Sequence, residues 1–62
     1  MDDVIHIDFF LDDGHHAMRY STHVPVIGDE VRFNGIAYMV VYRIWLYDEA
    51  KPRVALRIEK VK

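Results

Sequence analysis

Hydrophobic and polar residues alternate along most of the chain with the two-residue period of a β-strand. Residues 4–11 and 53–60 show this alternation most clearly. Their apolar faces are expected to point inward and comprise Ile5, Ile7, Phe9, Leu11, Val54, Leu56 and Ile58. No segment shows the 3.6-residue period of an amphipathic helix over a useful length, so little or no helix is expected.

Asp13-Gly14 predicts a hairpin after the first strand, because this dipeptide suits the positive φ angles of a two-residue turn. With that turn, the residue numbers of cross-strand partners sum to 27. Asp8 then lies opposite Arg19, and this pair of opposite charges favours the hairpin independently of the turn.

Asn34-Gly35 is the strongest short hairpin signal in the chain, and it pairs Phe33 with Ile36. Before it, Pro25 lacks an amide donor and should end the second strand. Residues 24–29 are therefore expected to form a bend.

The segment from Ile36 to Tyr47 is apolar at even and at odd positions. A strand of this length spans ~40 Å, which is too long for one flat pairing in so small a domain. It is expected to bend, and the side chains at its even-numbered positions are expected to pack into the core along its whole length. These positions are Ile36, Tyr38, Val40, Tyr42, Ile44 and Leu46. The chain therefore predicts an all-β fold, a small five-stranded antiparallel barrel built as a meander of hairpins.

Length and composition predict one domain over residues 1–62 that depends on its apolar core. The chain has no Cys, so neither disulfides nor a Cys-based zinc site can support it, and 52 % of its residues are hydrophobic. A core of this size is marginal. We therefore expect self-association, with a homodimer as the simplest form.

Charge is distributed unevenly although the net charge is only −2. Residues 1–30 hold seven acids and one base, whereas residues 31–62 hold seven bases and three acids. Such asymmetry can steer a partner. Alternatively, acidic and basic strands are neighbours within the fold.

The chain predicts a soluble, cytoplasmic protein with no membrane contact. No apolar run approaches the ~20 residues that a membrane helix requires. The first residues, MDDVIHIDFF, are acidic where a signal peptide would be basic.

A resemblance to known proteins rests on Val24, Pro25, Gly28, Asp29, Val31, Gly35, Tyr38, Val40 and Trp45. This pattern resembles uncharacterised small proteins from bacteria and their phages, and its Gly-Asp turn resembles that of several small barrels. The resemblance implies an SH3-like barrel and a phage or mobile-element origin. It implies no activity, because such a fold does not determine function.

Candidate catalytic and metal-binding residues are few. In the predicted register His6 faces Ser21 and lies diagonal to His23, so two imidazoles and Asp8 could chelate a transition ion. No compact ligand spacing supports this. A nucleophile would also need an oriented base and an oxyanion site, which so small a barrel offers poorly. The expectation is a non-enzymatic protein without metal or cofactor.

The candidate binding site is a set of large side chains at odd-numbered positions. They should point away from the core, because the core face of both strands that carry them is made of even-numbered residues. The set comprises Arg43, Trp45, Tyr47, Arg53 and Arg57. Aromatic residues beside arginines are typical of interface hot spots. The alternative is structural: Trp45 packs under the loop at 48–52 as a second small core, with arginine stems covering it.

Two functions follow from this candidate site. The first is a protein-interaction module that binds itself or a larger host protein, as a phage-encoded modulator or inhibitor would. The second is a nucleic-acid-binding barrel in which Trp45 and Tyr47 stack on bases. The sequence pI near 6.0 favours the first, because phosphate contacts need a basic footprint.

Overall fold

The computed structural model describes residues 4–48 and 50–62, and within them it contains five β-strands and no helix. The strands are β1 (Ile5–Leu11), β2 (His16–Ser21), β3 (Glu30–Phe33), β4 (Ile36–Leu46) and β5 (Arg53–Lys60). They form one sheet in the order β2-β1-β5-β4-β3, which curls into a half-barrel. The predicted small all-β fold is confirmed. The described residues include no helix long and apolar enough to cross a membrane.

The sheet is mixed, whereas a purely antiparallel sheet was predicted. β1 and β5 pair in parallel, and every other pairing is antiparallel. Turns at hairpins fix the relative direction of strands that follow each other in the chain. No turn fixes the direction of β1 against β5, because these are the first and last strands. The bend over residues 22–29 carries the chain from one edge of the sheet to the other, so β2 and β3 do not pair.

The β1–β2 hairpin forms, but its predicted register is wrong by one residue. Asp8 lies opposite Met18, and Arg19 lies opposite Ile7. The loop has three residues rather than two, since the Leu11 amide donates to the His15 carbonyl at 2.9 Å. A third loop residue in the left-handed conformation, here a glycine with φ of 92° at position 14, is typical of such loops.

The β3–β4 hairpin agrees with the prediction. Phe33 pairs with Ile36, and the two turn residues both have positive φ, 52° at Asn34 and 79° at Gly35. Positive φ at both central positions defines the type I′ turn, whose twist matches that of the flanking strands.

Gly35→Val should lower the free energy of unfolding by about 1–2 kcal/mol, because a β-branched residue resists positive φ. Strain rather than crowding is the cause, since a Cβ at Gly35 would meet no atom within 4 Å. Urea denaturation measures the effect. Gly35→Asn is the matched control and should lose less, because Asn tolerates the left-handed region. Equal losses in the two variants would contradict this explanation.

A β-bulge in β4 changes which side chains face the core. Val40 lies opposite Ile58, and Tyr42 lies opposite Arg57, so Val41 is an extra residue without a partner on β5. One extra residue moves every following side chain to the other face of the strand. The prediction that even positions of β4 face inward is correct before Val41 and wrong after it.

The core lies on the concave face of the sheet and draws on β1, β4 and β5. Its buried members are Ile7, Phe9, Tyr38, Val40, Val54, Leu56 and Ile58. β5 is the central strand, and its three inward residues are inaccessible to solvent. The acidic strand β1 lies directly beside the basic strand β5, so part of the charge asymmetry is satisfied within the molecule.

Candidate protein-interaction surface

The structure divides four of the five predicted site residues between the two faces of the sheet, and the fifth, Tyr47, follows the end of β4. Arg43 and Trp45 lie opposite Leu56 and Val54 and therefore share the concave core face. Arg53 and Arg57 lie on the opposite, convex face. All five were predicted to lie on one face, because all have odd residue numbers. The extra residue at Val41 shifts the alternation in β4 and so separates Arg43 and Trp45 from Arg53 and Arg57.

Trp45 is half-buried and packs against the main core, whereas the structural alternative placed it in a second small core under the loop at 48–52. The Arg43 guanidinium carbon lies 6.0 Å from the centre of its ring. Tyr47, which is 83 % exposed, stacks on Trp45 at 6.2 Å between ring centroids with planes 16° apart. The three side chains thus form a short ladder at the end of β4.

The convex face of the sheet carries three rows of side chains that cross β2, β1, β5 and β4 in that order. The rows are His16–Phe10–Arg57–Tyr42, Met18–Asp8–Ala55–Ile44 and Tyr20–His6–Arg53–Leu46. Directly opposed side chains on neighbouring strands are in contact distance, with Cβ atoms ~5 Å apart. These twelve residues therefore form one continuous surface, called the outer face below.

Large apolar side chains on the outer face are open to solvent. Five of them are between 43 % and 64 % exposed, namely Phe10, Met18, Tyr20, Tyr42 and Ile44. Methionine and aromatic residues are enriched in the centres of protein interfaces. The composition and continuity of the outer face are those of a surface that another protein can cover.

Asp8 lies in the middle row of the outer face and is buried, with 3 % of its surface exposed. One carboxylate oxygen, Oδ1, hydrogen-bonds to His16 Nε2 at 3.0 Å, and Oδ2 accepts from Arg53 Nε at 2.8 Å. His6 Nε2 lies 3.2 Å from Oδ1, but its direction does not make a hydrogen bond, and this buried nitrogen has no other partner. A buried carboxylate needs such partners, because desolvation of an isolated charge is costly.

The environment of Asp8 holds its carboxyl in the ionised form. Burial alone would raise the pKa, but the hydrogen bonds from Arg53 and His16 and the charges of His6 and Arg53 outweigh it. The pKa of Asp8 is therefore lowered below its ordinary value. The polar centre of the outer face is an ion pair rather than a neutral hydrogen-bonded cluster.

Two imidazoles join this polar centre to the apolar surroundings. The His16 ring stacks on Phe10 with centroids 4.8 Å apart and planes 13° apart. The His6 ring lies 5.1 Å from that of Tyr20. The His16 ring therefore links the Asp8 carboxylate to Phe10, and the His6 ring lies between Asp8 and Tyr20.

The side-chain arrangement that was considered for a metal ion rested on a register that the structure does not show. His6 faces Tyr20 rather than Ser21, and His16 hydrogen-bonds to Asp8. Over residues 4–48 and 50–62, no group of three His, Cys, Asp or Glu side chains is arranged to hold a metal ion.

Most of the outer face escaped the sequence analysis for two reasons. Tyr42 and Ile44 were assigned to the core because the bulge was not foreseen. The predicted register placed Met18 opposite Phe9 and Tyr20 opposite Ile7, on the core face, whereas they lie opposite Asp8 and His6. The pattern HAMRYS places His16, Met18 and Tyr20 on one face of β2. Large apolar side chains on the strand face opposite the core were the signal available.

Comparison of the chain with protein-family models, with curated proteins and with solved structures found no match.

Proposed function

We propose that the protein is a non-enzymatic interaction module that binds a second copy of itself or a larger protein through the outer face. The observation that carries this proposal is the set of exposed large apolar side chains that β1, β2 and β4 present on the outer face, around the ion pair of Asp8 and Arg53. The resemblance of residues 24–45 to small bacterial and phage proteins favours an SH3-like module that acts in the cytoplasm as a modulator or inhibitor of a host protein.

Energetic arguments favour Tyr42 and Phe10 as anchors of binding. Arg57 lies between them in the first row of the outer face, so both aromatic residues have an arginine as their neighbour on β5. Clusters of aromatic residues and arginine supply most of the binding energy in protein interfaces. Covering them removes apolar area from water, at roughly 25 cal/mol for each Å².

Self-association is the simplest use of the outer face. A twofold-symmetric pair would bury the same patch on both copies, and a domain this small gains stability from the added apolar contact. Sedimentation velocity at micromolar to hundreds of micromolar protein should therefore reveal a dimer.

Tyr42→Ala should weaken dimerisation at least tenfold, because truncating an aromatic anchor typically costs ~2 kcal/mol or more of binding energy. Tyr47→Ala is the matched control, since Tyr47 is an exposed tyrosine off the outer face and should leave the dimer constant unchanged. A monomer at hundreds of micromolar would reject self-association.

Binding to a larger protein is tested with the same pair of variants. Immobilised wild-type protein and Tyr47→Ala should retain a partner from bacterial lysate, identified by mass spectrometry, and Tyr42→Ala should lose it. A partner retained by all three proteins would place binding elsewhere and contradict the proposed role of the outer face.

Nucleic-acid binding is a second candidate, favoured by the ladder of Arg43, Trp45 and Tyr47. An exposed tyrosine stacked on a half-buried tryptophan can take a base on its free face. Titration of a labelled single-stranded oligonucleotide at increasing salt tests it. Two results together would support this function: affinity that falls steeply as salt rises, and loss of binding in Tyr47→Ala. No binding at low salt would reject it.

A further inference from the structure

We propose that the gap between β2 and β3, called the seam below, accepts an extended acidic peptide segment that completes the barrel as a sixth strand. β2 and β3 are the two edges of the sheet, and the curl of the half-barrel turns them towards each other. Of the residues that line the cleft in this seam, His16 alone also belongs to the outer face.

The width of the seam leaves room for a strand. No Cα atom of β2 lies within 8 Å of a Cα atom of β3. Paired strands lie ~4.8 Å apart, so two strands separated by a third are ~9–10 Å apart. The contact that bridges the seam is made by side chains, with the Arg19 guanidinium carbon 5.1 Å from the centre of the Phe33 ring.

Both edges present backbone groups to the seam. Leu11 and His15 are a hydrogen-bonded pair at the end of the first hairpin. Because hydrogen-bonded and non-hydrogen-bonded pairs alternate in antiparallel ladders, the amide and carbonyl of Met18 point away from β1. The Met18 carbonyl indeed accepts from the Arg19 side chain at 2.7 Å rather than from a strand. By the same alternation from the Phe33–Ile36 pair, Arg32 directs its backbone groups away from β4.

A cleft of about 460 Å³ occupies the seam, and its lining defines the chemistry of the occupant. Leu11, Phe33 and Tyr38 supply apolar contact, and Arg19 and Arg32 supply positive charge. Within residues 4–48 and 50–62 neither guanidinium is part of an ion pair. The lining also includes the Asp13 carboxylate, whose Oδ1 accepts from the His15 amide at 3.0 Å and lies 2.9 Å from His15 Nδ1.

An extended peptide fits this combination better than a compact anion does. Free strand edges bind main chain by β-strand addition, and alternate side chains then point to opposite faces. Apolar residues of the added strand would meet the interior of the half-barrel. Acidic residues between them would meet Arg32, which points outward because its neighbours Val31 and Phe33 pack against the core, as charge complementarity requires.

The test uses a fluorescein-labelled, end-blocked hexapeptide, Glu-Val-Glu-Val-Glu-Val, with fluorescence anisotropy as the readout. Wild-type protein should bind it, and Arg32→Gln should weaken binding about fivefold or more. Arg57→Gln is the matched control, since this arginine lies on the outer face, and it should bind as tightly as wild type. On binding, the Met18 and Arg32 amides should gain protection from hydrogen exchange.

Two further peptides separate the contributions to binding. Gln-Val-Gln-Val-Gln-Val removes the charge, and Glu-Val-Glu-Pro-Glu-Val removes a backbone donor while keeping all three carboxylates; each should bind at least tenfold more weakly. Equal binding of the glutamine peptide would overturn the acidic preference. Equal binding of the proline peptide, or no effect of Arg32→Gln, would overturn strand addition in the seam. Tyr42→Ala should bind the hexapeptide normally, so failure here and failure of the outer face are distinguishable.

Discussion

Trp45→Ala is expected to lower the free energy of unfolding by about 3 kcal/mol, because Trp45 packs against the core. The bulge at Val41 turns this side chain to the concave face, where it lies opposite the fully buried Val54. Single cores of this size rarely supply more than 3–5 kcal/mol in total. The variant should therefore be at the limit of folding, with a midpoint of thermal unfolding lowered by roughly 15 °C.

Far-UV circular dichroism during urea denaturation measures this loss without relying on tryptophan fluorescence. Tyr47→Ala serves as the control and should change stability by no more than about 0.5 kcal/mol, since the side chain is almost fully exposed. A Trp45→Ala variant that unfolds like the wild type but loses its partner would instead show that Trp45 is a surface anchor, as its odd-numbered position in the strand predicted.

Asp8→Ala is expected to lower the free energy of unfolding by about 2–3 kcal/mol. It removes two charge-assisted hydrogen bonds, from His16 and Arg53, and leaves the His6 imidazole without its charged neighbour. The loss stays below that of a fully buried pair, because the side chains of Arg53 and His16 are partly exposed to water. Urea denaturation at pH 7 measures it, with the exposed Asp13→Ala as the comparison.

The same carboxylate should make stability depend on acidic pH. The folded-state pKa of Asp8 is lowered, so its contribution is complete above the unfolded-state value of about 3.9 and is lost as pH falls through the folded value. Wild-type protein should thus lose stability below about pH 4, and Asp8→Asn should lack this part of the profile. Urea midpoints measured from pH 2 to pH 6 test this. Parallel profiles in the two proteins would show that Asp8 does not contribute.

Local signals in the sequence were sufficient for much of the fold. The alternation of residues 53–60 predicted which side of β5 is buried, and Asn34-Gly35 predicted both a turn type and a register. Such features depend on neighbours within a few residues, so the sequence contains them directly. Asp13-Gly14 predicted a hairpin but not its loop length, because two- and three-residue loops both accept a glycine with positive φ.

The division of the predicted site depended on contacts that the sequence does not encode locally. The run Val40-Val41 has apolar residues at both positions, so nothing in it indicates which one leaves the ladder. The surroundings of Asp8 depend on parallel pairing with β5, which brings Arg53 within 2.8 Å across 45 residues of chain. A carboxylate inside the apolar run VIHIDFFL was nevertheless a visible anomaly, and it marked the centre of the outer face.

The bulge at Val41 gives β4 a tolerance for length change that β5 lacks. Pairing with β5 is regular on both sides of Val41, so deleting one residue from the second half of β4 can be absorbed by straightening the bulge. Side chains beyond the deletion then keep their faces. β5 has no extra residue that could compensate for such a deletion. A deletion in its middle would turn the core residues on one side of the deleted position towards solvent. Insertions and deletions in descendants of this chain should therefore accumulate in β4 and be excluded from β5.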